Sequence, residues 1–390
     1  MEKKAYIFGA GKNGIQLYEY IKSINLLLLH TGGGGRIKAF IDNDISKQGK
    51  DIDGLRCISL DEAIDEGAHN DLIIVSPCQN NEIEKQLEKQ SFKKTICLGA
   101  FLENASRIKN FIPVFHEKAS YKYLVPFEDY ESPYPNISEV CESEKELFDR
   151  DKHLLGININ LDRQLELMKE MEGINKPIWS NKSDKKYRYY YNNPWFEMVD
   201  ANVLYYMIQI VKPKRIIEIG SGFSTAAMLD INEKYFNNNI KIFSIDPDAN
   251  RLKSLLKDSD NIPIYEKKLQ SIPVSFFESL EENDILFIDS SHVSKFNSDV
   301  NYLFFEILPR LSKGVYVHFH DIPYPFIYPR EWIYEGRAYT EIYILRAFLM
   351  NNTEYSIQFW CDMIQQKCKT DITNSFLGSA ASSIYIKKEL

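Results

Sequence analysis

The sequence contains few of the features that mark metal-binding, secreted or membrane proteins. Its six cysteines form no Cys-x-x-Cys pair, so neither a zinc knuckle nor a disulfide framework is predicted. No apolar run approaches the ~20 residues of a membrane span, and the amino-terminal residues lack the pattern of a signal peptide. These absences predict a soluble, cytoplasmic protein with no integral membrane segment.

An excess of positive charge is also missing. The chain of 390 residues has 47 Lys and Arg against 55 Asp and Glu, a net charge of −8. This balance argues against broad nucleic-acid binding, so we expect no nucleic-acid partner. The 44% apolar and 26% charged shares are typical of globular proteins. Association into a homo-oligomer is compatible with the sequence.

The amino-terminal part of the chain alternates short apolar runs with helical patterns. The runs predicted as strands are 5–8, 37–41, 72–75 and 95–98. Strands that alternate with helices indicate a parallel, doubly wound sheet. Four glycines at 32–35 interrupt this pattern, and because no Gly-Lys-Ser/Thr of a P-loop follows, they predict a flexible loop.

A second α/β pattern fills the carboxyl-terminal half. Its predicted strands are 215–219, 241–245, 262–265, 284–288, 314–319, 354–360 and 382–386, with the last two forming a pair. We therefore predict an α/β fold with two doubly wound, Rossmann-like domains. The predicted divisions are an amino-terminal nucleotide-binding domain at 1–103, a linker and helical connection at 104–185, and a second domain at 186–390.

The strongest motif joins a predicted strand to a helix through two glycines. It reads Ile216-Ile217-Glu218-Ile219-Gly220-Ser221-Gly222-Phe223-Ser224-Thr225. Gly220 and Gly222 permit close approach of a ligand to the backbone, and the helix amino terminus offers free N–H donors. Asp246 ends the next strand, where its carboxylate can bind both hydroxyls of a ribose.

This pair of motifs resembles the class I S-adenosylmethionine-dependent methyltransferases, and the resemblance extends through Asp284 to Asp289. It covers about residues 190–390. It implies a seven-stranded sheet, S-adenosylmethionine as cofactor, and activity as an S-adenosylmethionine-dependent methyltransferase.

The resemblance also implies roles for individual residues. Glu218 is expected near the methionine amino group, and Asp246 is expected to hold the ribose. Ser224 stands where many members carry a third glycine, and a serine still fits there. The implied cofactor-binding set is Glu218, Gly220, Ser221, Gly222, Ser224, Asp246 and Asn193, the last from an aromatic segment that reaches over the cofactor in that family.

Two clusters at later strand ends contain the groups suited to proton transfer. They are Asp289-Ser290-Ser291-His292 and His318-Phe319-His320-Asp321. An imidazole can take the proton of a hydroxyl acceptor near neutral pH. Alternatively, Asp289 and Asp321 could bind Mg²⁺ or another divalent cation that lowers the pKa of the acceptor. The predicted catalytic residues are Asp289, His292, His320 and Asp321, and the predicted metal ligands are Asp289 and Asp321.

An aromatic segment at 322–332 follows the second of these clusters. Its three prolines predict a shaped loop, which suits a sugar ring or a planar acceptor, or alternatively a lid that only excludes water. The pattern resembles bacterial methyltransferases encoded among cell-surface glycan genes. That resemblance implies O-methylation of a sugar in a surface glycan or its nucleotide-linked precursor. The alternatives are a natural-product methyltransferase and a catalytically silent nucleotide-sugar-binding or scaffold protein.

A weaker motif lies near the start of the chain. Gly9, Gly11 and Gly14 form a Gly-x-Gly-x-x-Gly, and Asp42 ends the next predicted strand, so these four residues predict a nucleotide site. The segment around Asp42 resembles the amino-terminal nucleotide-sugar-binding domains of bacterial sugar-modifying transferases. Hydride transfer is disfavoured because no dehydrogenase catalytic half follows. A degenerate domain used for assembly or docking is the alternative.

Overall fold

A computed structural model of the protein describes residues 4–24, 36–76, 81–92, 95–97, 130, 132–183, 186–367 and 382–390. The chain divides into two compact units, Met1–Ser132 and Pro133–Leu390. The predicted glycine loop at 32–35 lies outside the described residues, as does most of the predicted linker before residue 130. No helix among the described residues is long and apolar enough to cross a membrane.

The first unit contains a sheet with the strand order β3-β4-β2-β1-β5-β6. The strands are β1 (Lys4–Phe8), β2 (Arg36–Ile41), β3 (Asp51–Ile52), β4 (Leu55–Ile58), β5 (Leu72–Val75) and β6 (Thr95–Cys97). The helices are α1 (Lys12–Ile24), α2 (Leu60–Asp65) and α3 (Asn81–Lys89). Neighbouring strands are parallel except for β3 and β4, a short antiparallel pair that the sequence did not predict. The parallel, doubly wound arrangement was predicted.

The second unit contains a sheet with the order β12-β13-β11-β10-β7-β8-β9. The strands are β7 (Arg215–Ile219), β8 (Lys241–Ile245), β9 (Ile264–Tyr265), β10 (Ile285–Ile288), β11 (Tyr316–Phe319), β12 (Tyr355–Trp360) and β13 (Ile384–Lys388). The five strands that are adjacent in the order β11-β10-β7-β8-β9 are parallel, whereas β13 runs antiparallel to β11 and β12. The predicted seven strands and the predicted pairing of the last two are confirmed.

Helices surround this second sheet. They are α4 (Ile137–Glu142), α5 (Glu144–Leu147), α6 (Leu161–Glu172), α7 (Met198–Val211), α8 (Phe223–Tyr235), α9 (Asn250–Lys253), α10 (Val274–Phe277), α11 (Asp299–Tyr302), α12 (Arg330–Tyr334), α13 (Glu341–Leu349) and α14 (Cys361–Lys367). The methionines of α6, Met168 and Met171, lie in the core. Helix α7 is buried on nearly all sides, so it lacks a polar stripe that would mark its start in the sequence.

The strand order determines where a ligand can bind. Strand β7 lies between β8 and β10, and the chain proceeds outward from β7 in one direction and from β10 in the other. In open parallel sheets the crevice at such a reversal lies beyond the carboxyl ends of the strands. The glycine turn after β7 and the acidic residues after β8, β10 and β11 therefore meet at one edge of the sheet.

Candidate active site

The glycine turn after β7 is locked between two neighbouring strand ends. Gly220 has a φ of +80°, and a Cβ there would lie 2.1 Å from the carbonyl oxygen of Asp289. Its backbone N–H donates to the carbonyl of Ile245 at 3.0 Å. Only glycine fits this position without moving the backbone.

Asp246 is tied directly to this turn. Its Oδ2 accepts hydrogen bonds from the backbone N–H of Ser221 at 2.9 Å and from its hydroxyl at 2.8 Å. Its Oδ1 accepts from the backbone N–H of Asp248 at 2.8 Å. Because a carboxylate offers about four acceptor sites, Asp246 keeps capacity for a ligand in the cavity that it lines together with Gly220 and Gly222.

Glu218 lies beneath the turn and is fully buried. Its carboxylate accepts from the hydroxyl of Ser224 at 2.6 Å and from the hydroxyl of Thr225, both in the first turn of α8. Burial raises the pKa of Glu218 to about 8, although both hydroxyls oppose the shift. Ser224 therefore donates a hydrogen bond to Glu218 that a glycine at this position could not make.

Asn193 braces the aromatic segment before α7. Its side-chain amide donates to the carbonyls of Tyr190 and Phe196, at 2.8 and 2.9 Å, and its oxygen accepts from two backbone N–H groups. The cavity is lined instead by the neighbouring Trp195, whose ring lies 3.7 Å from the guanidinium carbon of Arg251. The role of Asn193 in binding the cofactor stays a prediction.

Three of the predicted catalytic residues meet at the ends of β10 and β11. The Nε2 of His292 lies 3.4 Å from Oδ1 of Asp289 and 3.6 Å from Oδ2 of Asp321. The Nδ1 of the same ring lies 2.8 Å from Oε2 of Glu341. We call Asp289, His292 and Asp321 the Asp–His–Asp cluster.

The charges of this cluster stabilise one another. Burial alone would lower the pKa of His292, but its contacts with Asp289 and Glu341 outweigh burial and hold that pKa well above the usual range. The recessed position of Asp289 opposes its ionisation, yet the contact with His292 dominates and lowers the pKa of Asp289 to about 2. The side chain of Asp289 is 36% exposed and is the most accessible member of the cluster.

His318, which lies in β11, and His320, which directly follows that strand, have different surroundings. His318 is stacked on Phe287 with ring centroids 3.8 Å apart, and neither ring nitrogen has a partner among the described residues. Burial holds the pKa of His318 well below its usual value, so it is a neutral core residue. His320 lines the cavity with its Nε2 3.7 Å from Oδ1 of Asp321. Burial would lower the pKa of His320, but Asp321 and Asp289 raise it.

The described residues do not fit the predicted divalent cation. In the part of the chain that the structure describes, no group of three or more His, Cys, Asp or Glu side chains has the arrangement of a metal site. The imidazole of His292 itself lies between the carboxylates of Asp289 and Asp321, where a shared cation would bind. The protonated side chain of His292 is therefore the cation that pairs with the two aspartates.

Aromatic side chains form one side of the same cavity, which has a volume of about 1350 Å³. The rings of Tyr328, Trp332 and Tyr339 lie 5.7 to 5.8 Å from one another, and the ring of Tyr339 lies 5.0 Å from that of His292. We call these three residues the aromatic wall. The predicted loop at 322–332 is irregular up to Pro329 and then enters α12.

Several residues of the site lie far from the motifs in the sequence. Glu341 is 49 residues from His292, and Asp200, which lines the cavity, accepts from the backbone N–H of Ser383 at 3.0 Å across 183 residues. Burial raises the pKa of Asp200. No spacing pattern in the sequence connects such positions. The packing of α13 against the loop after β10 brings Glu341 to His292, and the place of β13 in the sheet brings Ser383 to Asp200.

The predicted nucleotide site of the first unit has a well-defined turn. Gly9 has a φ of +102°, and a Cβ on Gly14 would lie 1.7 Å from the carbonyl oxygen of Gly9, whereas a Cβ on Gly11 meets nothing within 4 Å. The Oδ2 of Asp42 accepts from the N–H of Ala10 at 2.7 Å and from Nζ of Lys47 at 3.0 Å. Binding of a nucleotide here stays a prediction.

Both units match known families. Residues 217–322 match the family model of a methyltransferase domain, and residues 1–96 match the one described as C2185-like, N-terminal. A protein of Archaeoglobus fulgidus, described as an uncharacterized protein, is 34% identical over 169 residues, which are 42% of this chain and 76% of that protein.

Solved structures show partial similarity. The plantazolicin methyltransferase BpumL, in a complex with S-adenosylhomocysteine, is 13% identical, with 49% of this chain and 83% of that chain covered and a TM-score of 0.34. UDP-D-quinovosamine 4-dehydrogenase from Vibrio fischeri is 22% identical over 28% of this chain and 87% of its own, with a TM-score of 0.23. TM-scores this low carry no argument about ligands or activity.

Proposed function

We propose that this chain, an S-adenosylmethionine-dependent methyltransferase of the same family as the archaeal relative, methylates a hydroxyl of a sugar. The acceptor would be a sugar of a surface glycan or its nucleotide-linked precursor.

One observation carries this proposal: the Asp–His–Asp cluster and the aromatic wall face the same cavity as the glycine turn. Aromatic faces provide flat apolar contact for a ring, while carboxylates accept hydrogen bonds from its hydroxyls. The volume of about 1350 Å³ exceeds the ~300–1,000 Å³ typical of sites for one small ligand. It therefore has room for a cofactor and a sugar side by side.

The glycine turn suits the cofactor chemically. The N–H groups at the start of α8 and the carboxylate of Asp246 would hold its polar groups, whereas Glu218 lies beneath the turn and does not line the cavity. When bound, S-adenosylmethionine supplies a methyl group, whose bond to sulfur breaks as the bond to the acceptor oxygen forms. The net positive charge of that cofactor also matches the acidic residues that line the cavity.

The Asp–His–Asp cluster would receive the acceptor. Asp289 is ionised and partly exposed, so its carboxylate can accept the hydrogen bond of the attacking hydroxyl and align its oxygen. The proton that the hydroxyl loses would pass to the carboxylate of Asp289, or to Nε2 of His292 when that ring is neutral, and Glu341 orients the ring. No step is assigned to a divalent cation or to His318.

Mass spectrometry tests the proposal. The purified enzyme and S-adenosylmethionine are incubated with a panel of nucleotide-linked sugars and surface-glycan fragments, and products are searched for an added CH₂ unit on the sugar. Methylation of a sugar hydroxyl supports the proposal. Methylation of planar small molecules alone would favour the natural-product alternative, and failure to bind S-adenosylmethionine in calorimetry would favour the silent scaffold.

A further inference from the structure

Glu341 is a buried carboxylate at the start of α13, and it connects two residues of the loop after β10. It is 1% exposed. Its Oε2 lies 2.8 Å from Nδ1 of His292, and its Oε1 accepts the hydroxyl hydrogen of Ser290 at 2.8 Å. Both carboxylate oxygens are therefore bonded to the segment that carries Asp289 and His292.

The backbone reinforces this connection. The N–H groups of Thr340 and Glu341 both donate to the carbonyl oxygen of His292, at 2.8 and 3.0 Å. His292 has a φ of +58°, in the left-handed region of the backbone that residues other than glycine rarely adopt. Its own N–H donates to the hydroxyl of Ser290 at 3.0 Å. The beginning of α13 thus holds His292 in a conformation that it would not adopt alone.

The consequence is a fixed orientation of the imidazole. A carboxylate can only accept, so Nδ1 of His292 must be the donor toward Glu341 in the neutral and in the charged ring alike. The remaining nitrogen, Nε2, then faces Asp289 and Asp321 at 3.4 and 3.6 Å. A flipped ring would lose the bond to Glu341 and direct the wrong nitrogen to the cavity.

We propose that Glu341 is a positioning residue for methyl transfer, which sets the tautomer and ring orientation of His292. This inference rests on the proposed function of the Asp–His–Asp cluster. Glu341 does not touch the acceptor; it acts through His292. Loss of this orientation should lower kcat about 10²-fold, since misplacement of a reacting group by ~1 Å can cost that much. The KM for the acceptor and the affinity for S-adenosylmethionine should change little.

The test compares Glu341→Leu and Glu341→Gln with wild type. Leucine removes the acceptor, whereas the glutamine oxygen can still accept from Nδ1. The exposed Glu306→Gln, whose carboxylate pairs with Arg310 on the surface, is the matched control for loss of one negative charge. Each variant is measured for kcat, KM and cofactor affinity. The ¹⁵N NMR shifts of the His292 ring are assigned by their loss in His292→Asn and are recorded at a pH high enough for the ring to be neutral. They then report the tautomer independently of the acceptor.

We expect wild type and Glu341→Gln to show a protonated Nδ1, and Glu341→Leu to show a mixture of tautomers with the lowest kcat. Wild-type ring shifts and wild-type kcat in Glu341→Leu would overturn the proposal. If Glu341→Leu does not fold, unchanged kcat together with an altered tautomer in Glu341→Gln would overturn it as well. Failure of the wild type to methylate any sugar would refute the proposed function alone, because the NMR measurement needs no acceptor.

Discussion

Asp42 and Asp246 make the same hydrogen bond in the two units. Each follows the strand next to the glycine turn, and each accepts the N–H of a residue in that turn, Ala10 at 2.7 Å and Ser221 at 2.9 Å. The following strands differ: β5 leads to Ser76, whose hydroxyl is 3.0 Å from the carbonyls of Phe8 and Gly9, whereas β10 leads to Asp289. The two units therefore share the geometry of the glycine turn, while the Asp–His–Asp cluster belongs to the second unit.

Replacement of Asp246 by alanine should weaken binding of S-adenosylmethionine. Hydrogen bonds to a charged group are worth roughly 1.5–3 kcal/mol, so we expect the Kd to rise ~10- to 150-fold in calorimetry. Asp42→Ala removes the equivalent carboxylate of the first unit and should leave this Kd unchanged. Equal affinities of Asp246→Ala and wild type would refute the ribose assignment.

The glycines of the amino-terminal motif should differ in their tolerance of a side chain. A Cβ on Gly14 would lie 1.7 Å from the carbonyl oxygen of Gly9, whereas one on Gly11 has open space. Gly14→Ala should therefore lower the free energy of unfolding by about 1–3 kcal/mol, the usual cost of overpacking, and Gly11→Ala should change it little. Urea denaturation measures both, and a destabilised Gly11→Ala beside an unaffected Gly14→Ala would contradict the described turn.

If a nucleotide binds the first unit, the larger Gly11→Val should act on function. The branched side chain would extend into the turn, so the KM for a nucleotide-linked acceptor should rise while the affinity for S-adenosylmethionine stays the same. Steady-state kinetics with varied acceptor measure this. Wild-type kinetics for the valine variant would favour the docking or assembly alternative.

Glu218→Gln should stabilise the protein increasingly at higher pH. The folded-state pKa of Glu218 is raised to about 8 from 4.5, so the proton is bound more tightly in the folded protein. The stability that this proton contributes is fully present below about pH 4.5 and is lost as the pH rises through 8. The shift corresponds to an upper bound of roughly 5 kcal/mol. Glutamine mimics the protonated form, so thermal unfolding should show a gain in Tm that is larger at pH 9 than at pH 5; an equal difference at both would contradict the raised pKa.

Chelation should leave turnover unchanged. The imidazole of His292 already lies between Asp289 and Asp321, so the described arrangement needs no cation there. Turnover is measured after dialysis against a chelator, with and without added Mg²⁺, and cofactor binding is measured in parallel. Loss of turnover that Mg²⁺ restores would instead support a cation at these aspartates.

His292→Ala should lower kcat ~10²- to 10⁴-fold if the ring takes the proton.

Trp332→Ala should weaken binding of the acceptor and spare the cofactor. Removal of one ring of the aromatic wall loses stacking worth about 0.5–1.5 kcal/mol, so the KM for a sugar acceptor should rise roughly 2- to 12-fold. Phe305→Ala removes an aromatic ring that is 61% exposed and does not line the cavity, and it should have no effect. An unchanged KM in Trp332→Ala would leave the wall as a lid that excludes water.

Local features of this protein could be predicted from its sequence. The apolar runs of β7, β8 and β10, the glycines at 220 and 222, and Asp246 could be read directly, because each depends on a few neighbouring residues. A buried strand needs only a short run of apolar side chains, and a tight turn needs only a glycine at the right place. The start of α7 at Met198 could not be read in this way, because a helix buried on nearly all sides carries no polar stripe to mark its start.

Contacts between residues far apart in the sequence depend on the tertiary fold. The insertion of β13 between β11 and β12 brings Ser383 to Asp200, and the packing of α13 against the loop after β10 brings Glu341 to His292. The same packing places the imidazole between Asp289 and Asp321. Such contacts join positions tens to hundreds of residues apart, and they arise from burial and strand pairing across the whole sheet rather than from any spacing along the chain.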